Sequence, residues 1–275
     1  MKAPKKTVGI VGHPIKHTAS PAMHNAAFRR LKMNWSYEAW DVPPASLPAA
    51  LKQLQTSGVV GINITIPHKA SAARCLKKLD RSARAIGAVN TIVFSNPPRG
   101  FNTDGHGLIQ ALRREFVFRP RGKTIAVAGC GGAGQAAAVA LALAGAQKLI
   151  LLNRTAARAR ALARRIQSLR RRTAISLKPE KCHLLINATS LGLRKSDPLP
   201  LSLACLRMLK PGLFMDMIYR PATTAFMKTM KKEGTRAANG LEMLLQQGAR
   251  SFEIWTHRKP PLQTMRRALK TEIYG

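Results

Sequence analysis

Asp104 carries a carboxylate, a group that can take part in acid–base chemistry. It lies in the stretch GFNTDGHG, residues 100–107, in a chain with 12 acidic residues against 46 lysines and arginines. Asp beside Gly is typical of a turn, and in a turn this carboxylate would neither start a helix nor enter a core. A local turn therefore explains Asp104 on its own, and a chemical role needs support from elsewhere in the chain.

A glycine-rich turn supplies the first support. Gly129-Cys-Gly131-Gly-Ala-Gly134 follows an apolar run that reads as a strand and opens an alanine-rich run that reads as a helix. A G-x-G-x-x-G turn in this setting is typical of a dinucleotide-binding unit. Its glycines let the backbone approach a pyrophosphate, whose charge the helix N-terminus stabilises. We interpret Cys130 as a small packing residue within the turn.

The end of the next strand indicates which dinucleotide binds. In NAD-binding units an acidic residue there binds the ribose hydroxyl. Here the strand KLILL ends in Asn153-Arg154-Thr155, with Arg158 one helical turn later. A carboxylate would repel a 2′-phosphate, whereas a guanidinium can bind it through two hydrogen bonds. The sequence therefore predicts NADP(H) as the cofactor.

Hydride transfer also needs a proton donor or acceptor at the alcohol oxygen. No tyrosine begins a Tyr-x-x-x-Lys, no His-Glu-x-x-His occurs, and the four cysteines form no C-x-x-C pair, so we predict no metal. Two candidates remain. One is Asp104, and the other is Lys69, just past a predicted strand at residues 59–67 on which Asn63 and Thr65 share one face.

Short apolar runs alternate with helical stretches throughout, which predicts an α/β protein built on parallel sheets. Ser20 is the expected N-cap of a first helix, with Pro21 in its first turn. In the strand at 59–67, Ile62, Ile64 and Ile66 share the face opposite Asn63. The sequence changes character from Gly105, and a basic linker, RPRGK, leads into the glycine-turn unit.

The net charge of +34 and a pI near 11.5 are extreme. The excess is densest between Glu115 and Glu180, where no acidic residue occurs. The basic residues of that interval are Arg119, Arg121, Lys123, Lys148, Arg154, Arg158, Arg160, Arg164, Arg165, Arg170, Arg171, Arg172 and Lys178. Such a field attracts polyanions, but 5% aromatic content leaves little for base stacking. We interpret the charge as a solvated surface with weak, nonspecific polyanion contact.

The chain also carries expectations about its compartment. The cysteines are far apart, which favours a reducing compartment. The apolar stretch at 124–146 is rich in Gly and Ala, which favours a strand, turn and helix over a membrane span. We therefore expect a cytoplasmic protein without a membrane partner, either a monomer or a homodimer.

Nine ordered motifs carry a family resemblance. They are GHPIKHTASPAMHNAAF, GINITIPHK, GAVNT, GFNTDGHG, GCGGAG, NRT, NATSLG, DMIYRPATT and GLEMLLQQG. Together they resemble the shikimate dehydrogenase family over nearly the whole chain. The resemblance implies reversible NADPH-dependent reduction of 3-dehydroshikimate to shikimate in aromatic amino-acid biosynthesis. It also implies an α/β substrate domain at 1–104 with 239–275 and a Rossmann-type NADP domain at 105–238.

The resemblance assigns roles to individual residues. Lys69 and Asp104 would be catalytic. The substrate would be bound by Thr18, Ser20, Asn63, Thr65, Asn90, Tyr219 and Gln247. The cofactor would be bound by Gly129, Gly131, Gly132, Ala133, Gly134, Asn153, Arg154, Thr155, Arg158, Thr189, Met217 and Gly240.

One departure keeps alternatives open. Thr18 stands where the family usually has the first serine of a Ser-x-Ser pair at the substrate carboxylate, and quinate-accepting relatives vary at this pair. A quinate/shikimate dehydrogenase of broader range is therefore one alternative. An inactive relative associated with nucleic acid is the other, although the intact Lys69 and Asp104 speak against it.

Overall fold

The computed structural model describes residues 4–275, which form two compact units. One unit runs to His106 and resumes at Leu245–Gly275, and the other is Gly107–Leu244. Both boundaries fall inside helices, and they lie two and six residues after the predicted divisions at 104/105 and 238/239. A sequence shows where a helix can begin. It does not show the helical turn at which the helix stops packing against one unit and starts packing against the other.

The first unit contains a six-stranded mixed sheet of order β2-β1-β3-β5-β6-β4. Its strands are β1 Lys6–Gly12, β2 Trp35–Asp41, β3 Gly61–Ile64, β4 Lys78–Leu79, β5 Thr91–Val93 and β6 Arg99–Phe101. Its helices are α1 Ser20–Arg30, α2 Leu47–Thr56, α3 Lys69–Cys75, α4 Arg81–Ile86 and α11 Leu262–Tyr274, with a short 3₁₀ turn at Pro44–Ser46. Most of the sheet is parallel, as expected. β5 runs antiparallel to β3 and to β6, and the short turn that joins β5 to β6 requires the second of these pairings to be antiparallel.

Strand β3 is shorter than predicted. It is buried on both faces from Gly61 to Ile64, and Ile62 and Ile64 join the core of the unit. Ile66, expected on the same face, is 71% exposed. Pro67 cannot donate to a strand ladder, and His68 N instead donates to Thr65 O at 2.9 Å, closing a turn.

Helix α1 begins one residue earlier than predicted. Ala19 is its N-cap, and Ser20, expected as the cap, is the first helical residue. The Ser20 side chain is buried and bonds the Tyr37 hydroxyl instead of a backbone N–H. Pro21 lies in the first turn, as predicted.

The second unit contains a six-stranded parallel sheet of order β12-β11-β10-β7-β8-β9. Its strands are β7 Thr124–Ala128, β8 Lys148–Leu152, β9 Ala174–Ser176, β10 Leu184–Asn187, β11 Leu213–Asp216 and β12 Arg236–Ala238. Its helices are α6 Gly132–Leu143, α7 Ala156–Leu169, α8 Leu203–Leu209 and α9 Ala225–Lys232. Two further helices, α5 Asp104–Phe116 and α10 Leu241–Thr256, span the unit boundaries. The order reverses at β7, the arrangement of a Rossmann-type dinucleotide fold.

The apolar stretch at 124–146 is divided between β7 and α6. Its alanines are small enough for α6 to pack closely, and the helix is buried over most of its length. Within residues 4–275, no helix combines the length and apolar character needed to cross a bilayer.

Candidate active site

Lys69 and Asp104 form an ion pair in the first unit. Lys69 Nζ donates to Asp104 Oδ2 at 2.7 Å. The lysine side chain is 32% exposed and the aspartate side chain 12%, so one partner reaches solvent while the other is nearly buried. The fold brings these two residues together although they are 35 positions apart in the chain. A shared role in proton transfer requires this proximity.

The position of Lys69 follows from the turn before it. Lys69 is the first residue of α3, and its carbonyl accepts from Val89 N at 2.9 Å. The preceding residue, His68, is buried, and its Nε2 lies 2.7 Å from Val42 O. The His68 ring and the Lys69 carbonyl thus fix the turn that positions the Lys69 side chain.

Asp104 starts a helix and is buried, contrary to the turn that the local sequence predicts. It is the first residue of α5, and only 9% of the residue is exposed. Its backbone N–H donates to Asn102 Oδ1 at 3.1 Å. A carboxylate is stabilised at a helix N-terminus, and the glycines that follow did not prevent the helix from forming.

Asn90 holds the other oxygen of the aspartate. Its Nδ2 donates to Asp104 Oδ1 at 2.8 Å and to Thr103 Oγ1 at 2.9 Å, and it lies 3.4 Å from Gln247 Oε1. Asn90 Oδ1 in turn accepts from Thr103 N at 2.8 Å. Both carboxylate oxygens of Asp104 therefore have partners, and three predicted site residues, Asn90, Asp104 and Gln247, lie together.

Asn63 belongs to the same network but lies deeper. It is 5% exposed, and Tyr37 Oη donates to its Oδ1 at 2.8 Å. Its Nδ2 lies 3.0–3.1 Å from Asn90 O, Thr91 Oγ1 and Ser251 Oγ. The predicted contact of this side chain with substrate stays a prediction, and its polar atoms have partners within the protein that include the Asn90 backbone.

The remaining predicted substrate residues of this unit lie in loops at strand ends or near them. Thr18 is half-buried, and its Oγ1 lies 3.4 Å from Ser20 N. Thr65 directly follows β3, and its N–H donates to Val11 O at 2.9 Å. Tyr219, another predicted substrate residue, follows β11 in the second unit.

The glycine-rich turn of the second unit has the geometry that a dinucleotide needs. Gly129 has φ +98°, and a Cβ there would lie 2.9 Å from Ala188 O. A Cβ on Gly134 would collide with Gly129 O, so the third glycine allows α6 to approach β7. Gly131 and Gly132 are different, because a Cβ on either would meet no atom of the chain. The open space beside them suits a pyrophosphate at the N-terminus of α6.

Asn153 supports this turn from the next strand. Its Oδ1 accepts from Cys130 N at 2.9 Å, and its Nδ2 donates to Thr155 O at 2.9 Å. Its side chain, predicted to contact cofactor, thus joins the two loops that would hold it. Arg154 and Arg158 are exposed, as a site for a phosphate requires. Burial raises the pKa of the Cys130 thiol to about 11, which fits its predicted packing role.

Asn187 and Asp216 form a buried pair beside the predicted cofactor residues that no sequence pattern indicates. They pair in register at the carboxyl ends of β10 and β11, and both are fully buried. Asn187 Nδ2 donates to Asp216 Oδ1 at 3.0 Å, and Thr224 Oγ1 donates to Asp216 Oδ2 at 2.7 Å. Ile218 N also donates to Oδ1 at 3.1 Å. Burial raises the pKa of Asp216 although these hydrogen bonds act in the opposite direction.

The pair fixes the loops that carry other predicted site residues. Thr189 donates to Asn187 Oδ1 from both its N–H and its hydroxyl, at 3.1 and 2.8 Å. Met217 N donates to Asn187 O at 3.0 Å. A Cβ on Gly240 would collide with the Met217 backbone, so glycine is needed there for close packing. NATS and DMIYRPATT contain the two residues, but nothing in either motif shows that they meet.

The two units thus offer complementary chemistry. An ammonium beside a carboxylate can transfer and orient a proton. A Rossmann-type sheet with an open glycine turn and exposed arginines can bind a dinucleotide phosphate. These are the requirements of a nicotinamide-dependent reaction at a hydroxyl or carbonyl group.

Three family models match successive parts of the chain. They are described as the shikimate dehydrogenase substrate binding domain, shikimate/quinate 5-dehydrogenase and the shikimate 5′-dehydrogenase C-terminal domain. The matched residues are 10–92, 112–191 and 240–270, respectively.

Individual proteins match over nearly their whole length. The shikimate dehydrogenase (NADP(+)) of Methanopyrus kandleri is 39% identical over 277 residues, which cover 97% of this chain and 96% of the relative. The crystal structure of shikimate 5-dehydrogenase from Thermus thermophilus with NADP(H) and shikimate has a TM-score of 0.87 at 36% identity, covering 97% and 99%. The ligand-free 5-ketofructose reductase of Gluconobacter sp. strain CHM43 has a TM-score of 0.87 at 31% identity, covering 98% and 99%.

Proposed function

Because the chain belongs to the shikimate dehydrogenase family, we propose that it interconverts 3-dehydroshikimate and shikimate with NADP(H), in aromatic amino-acid biosynthesis. It is an NADP-dependent oxidoreductase that acts on a CH–OH group. The observation that carries the proposal is the 2.7 Å contact between Lys69 Nζ and Asp104 Oδ2, with Asn90 on the second carboxylate oxygen.

Lys69 and Asp104 would move and orient the proton. When bound, NADPH supplies the hydride to the carbonyl carbon. As charge develops on the carbonyl oxygen, the Lys69 ammonium donates a proton to it. Asp104 holds the ammonium in place and, through Asn90, is itself held. In the direction of oxidation the neutral lysine accepts the hydroxyl proton.

The surrounding polar residues divide into two roles. Thr18, Ser20, Thr65, Gln247 and Tyr219 would bind the substrate's carboxylate and hydroxyl groups. We assign Asn63 to positioning, since its polar atoms already have partners inside the protein.

In the cofactor site, Gly131 and Gly132 would approach the pyrophosphate. Arg154 and Arg158 would bind the 2′-phosphate by charge-assisted hydrogen bonds. Asn153 would hold the glycine turn and the loop after β8 together. Thr189, Met217 and Gly240 would lie near the nicotinamide end.

Absorbance of the nicotinamide, followed in both directions, tests the proposal. We expect turnover of shikimate with NADP⁺ and of 3-dehydroshikimate with NADPH, and a much lower kcat/KM with NAD⁺. Quinate is one comparison substrate, because Thr18 adds a methyl group where a serine is usual. 5-Ketofructose is the other, because a structural neighbour is named as its reductase. A kcat/KM for either that equals or exceeds the shikimate value would overturn the substrate assignment but leave the cofactor assignment in place.

We also place the reaction in the cytoplasm. Support comes from the four cysteines, none of which is in a disulfide and one of which, Cys75, is exposed, as a reducing compartment allows. Fractionation of the native cell, with the activity recovered outside the cytoplasmic fraction, would contradict this placement.

A further inference from the structure

The second unit presents a row of arginines that the proposed reaction does not use. We define the arginine band as five exposed residues on α7 and on the turn that follows it: Arg160, Arg164, Arg170, Arg171 and Arg172. We propose that this band binds the phosphate backbone of a nucleic acid, without base specificity. The inference is independent of the proposed dehydrogenase function.

The helix displays its part of the band because its opposite side is buried. Ala159, Leu162 and Ile166 form the buried stripe of α7. Arg160 and Arg164 are four residues apart and therefore project from one face, away from that stripe. The helix carries no acidic residue that could pair with them.

The turn that carries the other three arginines is held by its own hydrogen bonds. Arg170 N donates to Ile166 O at 2.8 Å, and Thr173 N donates to Arg170 O at 3.0 Å. Thr173 is buried and donates from its hydroxyl to Ala146 O at 3.0 Å. Three consecutive guanidinium groups are thus displayed on a backbone anchored on both sides, which lowers the entropy lost on binding.

None of the five arginines is neutralised within the part of the chain that the structure describes. Among residues 4–275, no ion pair includes a member of the band. The nearest acidic residues in sequence are Glu115 and Glu180, and Glu180 already pairs with Lys148 at 2.9 Å. A partner that brings phosphates would therefore meet uncompensated positive charge.

The size of the band suits a phosphate backbone. Ten residues separate Arg160 from Arg170, or about 15 Å if the helical rise held throughout. A DNA duplex carries on the order of nine phosphates over that length. Arginine, which makes up the whole band, binds phosphate through two hydrogen bonds more readily than lysine.

A membrane surface fits the band less well. Insertion at a bilayer surface needs large apolar side chains beside the basic ones. In residues 156–178 only Leu169 and Leu177 are large, apolar and exposed, at 38% and 40%.

Fluorescence anisotropy with a labelled mixed-sequence DNA duplex of about 20 base pairs tests the proposal. The band variant carries Gln at all five arginines. A matched control carries the same number of Gln replacements at exposed basic residues of the first unit: Arg29, Arg30, Lys52, Lys77 and Lys78. Both variants lower the net charge equally, and neither touches the proposed active site, so both should keep the dehydrogenase activity as a check on folding.

The expected result separates location from net charge. In the band variant, Kd at 100 mM salt should rise by at least roughly tenfold. The slope of the log association constant against log salt should become less steep, by about 3 to 4.5. The control should change Kd less than about threefold. Equal losses in the two variants, or no binding by the unmodified protein, would overturn the proposal.

Two further arms of the experiment distinguish phosphate from carboxylate and allow for a variant that does not fold. Polyglutamate of matched charge should bind at least roughly tenfold more weakly than the duplex, because its charge density is lower, and equal binding would overturn the assignment to phosphate. If the band variant does not fold, the triple replacement at Arg170, Arg171 and Arg172 is used. It should lower the salt slope by about 2 to 3, and an unchanged slope would again overturn the proposal.

Discussion

Each unit contains a buried network of polar side chains, and the two networks end differently. In the first unit the hydrogen bonds run from Tyr37 through Asn63 and Asn90 to Asp104, and end at the partly exposed Lys69. In the second unit they run between strands and loops and end on backbone or buried groups.

The first network holds a reactive group where a ligand can reach it, whereas the second holds loops in place. Asp104 has a carboxylate oxygen committed to an ammonium that reaches solvent, so its charge can act on a ligand. Asp216 has both oxygens committed to buried donors, so its charge can only hold Asn187, Ile218 and Thr224 together. Substitutions in the first network should therefore lower kcat, and substitutions in the second should lower the free energy of unfolding.

Removal of Lys69 from the first network should reduce activity more than substitutions in the second network. Lys69→Ala removes the proton carrier, and kcat should fall by roughly 10²-fold or more, the lower range for a positioned acid–base group. The measurement is steady-state kinetics with shikimate and NADP⁺. Lys77→Ala, at an exposed lysine of the same unit, is the control and should leave kcat unchanged. A loss in the control as large as that in Lys69→Ala would mean that charge, not proton transfer, sets the rate.

The second effect concerns the exposed arginines of the cofactor site. Arg154→Ala should weaken NADPH binding by roughly 1.5–3 kcal/mol, the scale of a hydrogen bond to a charged group. NADH, which lacks the 2′-phosphate, should bind as before. Titration calorimetry of both cofactors measures this, and equal losses for the two would remove the 2′-phosphate assignment.

The third effect concerns Asp216 in the second network, where the same Asp→Asn substitution can be made as at Asp104 in the first. In Asp216→Asn an NH₂ group, which can only donate, takes the place of the carboxylate oxygen to which the Thr224 hydroxyl donates, so that hydroxyl loses its acceptor. A buried donor left unpaired should lower the free energy of unfolding by about 2 kcal/mol. At saturating substrates kcat should stay within roughly threefold of the unmodified enzyme. A large loss of kcat with stability unchanged would place Asp216 with the catalytic groups instead.

The smallest effect comes from a buried histidine of the first unit. His24 is fully buried between aromatic rings, including Tyr37 at 4.4 Å between centroids, and within residues 4–275 neither ring nitrogen has a hydrogen-bond partner. Burial lowers its pKa from 6.5 to about 3. As pH falls below 6.5 the unfolded chain binds a proton that the folded protein refuses, so stability is lost progressively towards pH 3.

This loss is measurable by denaturant unfolding. Between pH 6 and pH 5, His24 should cost about 1 kcal/mol of stability. His24→Leu should remove that part of the pH dependence, whereas His17→Leu, at an exposed histidine, should not. The same pH dependence in His24→Leu as in the unmodified protein would show that another group carries it.

Most of what lies in local patterns could be predicted from the sequence. The glycine turn, the strand and the helix on either side of it, and the arginines after β8 are each visible within short stretches of the chain. Membership of the shikimate dehydrogenase family could also be read from ordered motifs. What the motifs could not show was which side chains meet across the fold. Asn187 and Asp216 pair only because β10 and β11 are neighbours in register.

The local errors have physical causes. Asp104 was predicted in a turn because of its glycine neighbour, but the packing of α5 and the bond to Asn102 favour a helix start. The ligand contacts of Asn63 and Asn153 stay predictions, and the structure shows in addition that both side-chain amides bind other parts of the protein. An amide that binds a ligand and one that holds a neighbouring residue look alike in a sequence.

Lys69 and Asp104 are expected to act as one proton-transfer unit, and a double-mutant cycle in kcat measures whether they do. Asp104→Asn keeps the shape of the side chain but removes its charge, and it should reduce kcat by roughly 10²-fold or more, as Lys69→Ala does. Because groups that act together are not additive, the double variant should be little worse than either single one. If the two losses multiply in the double variant, or if Asp104→Asn keeps near-normal kcat with its fold intact, the pair is not the proton-transfer unit.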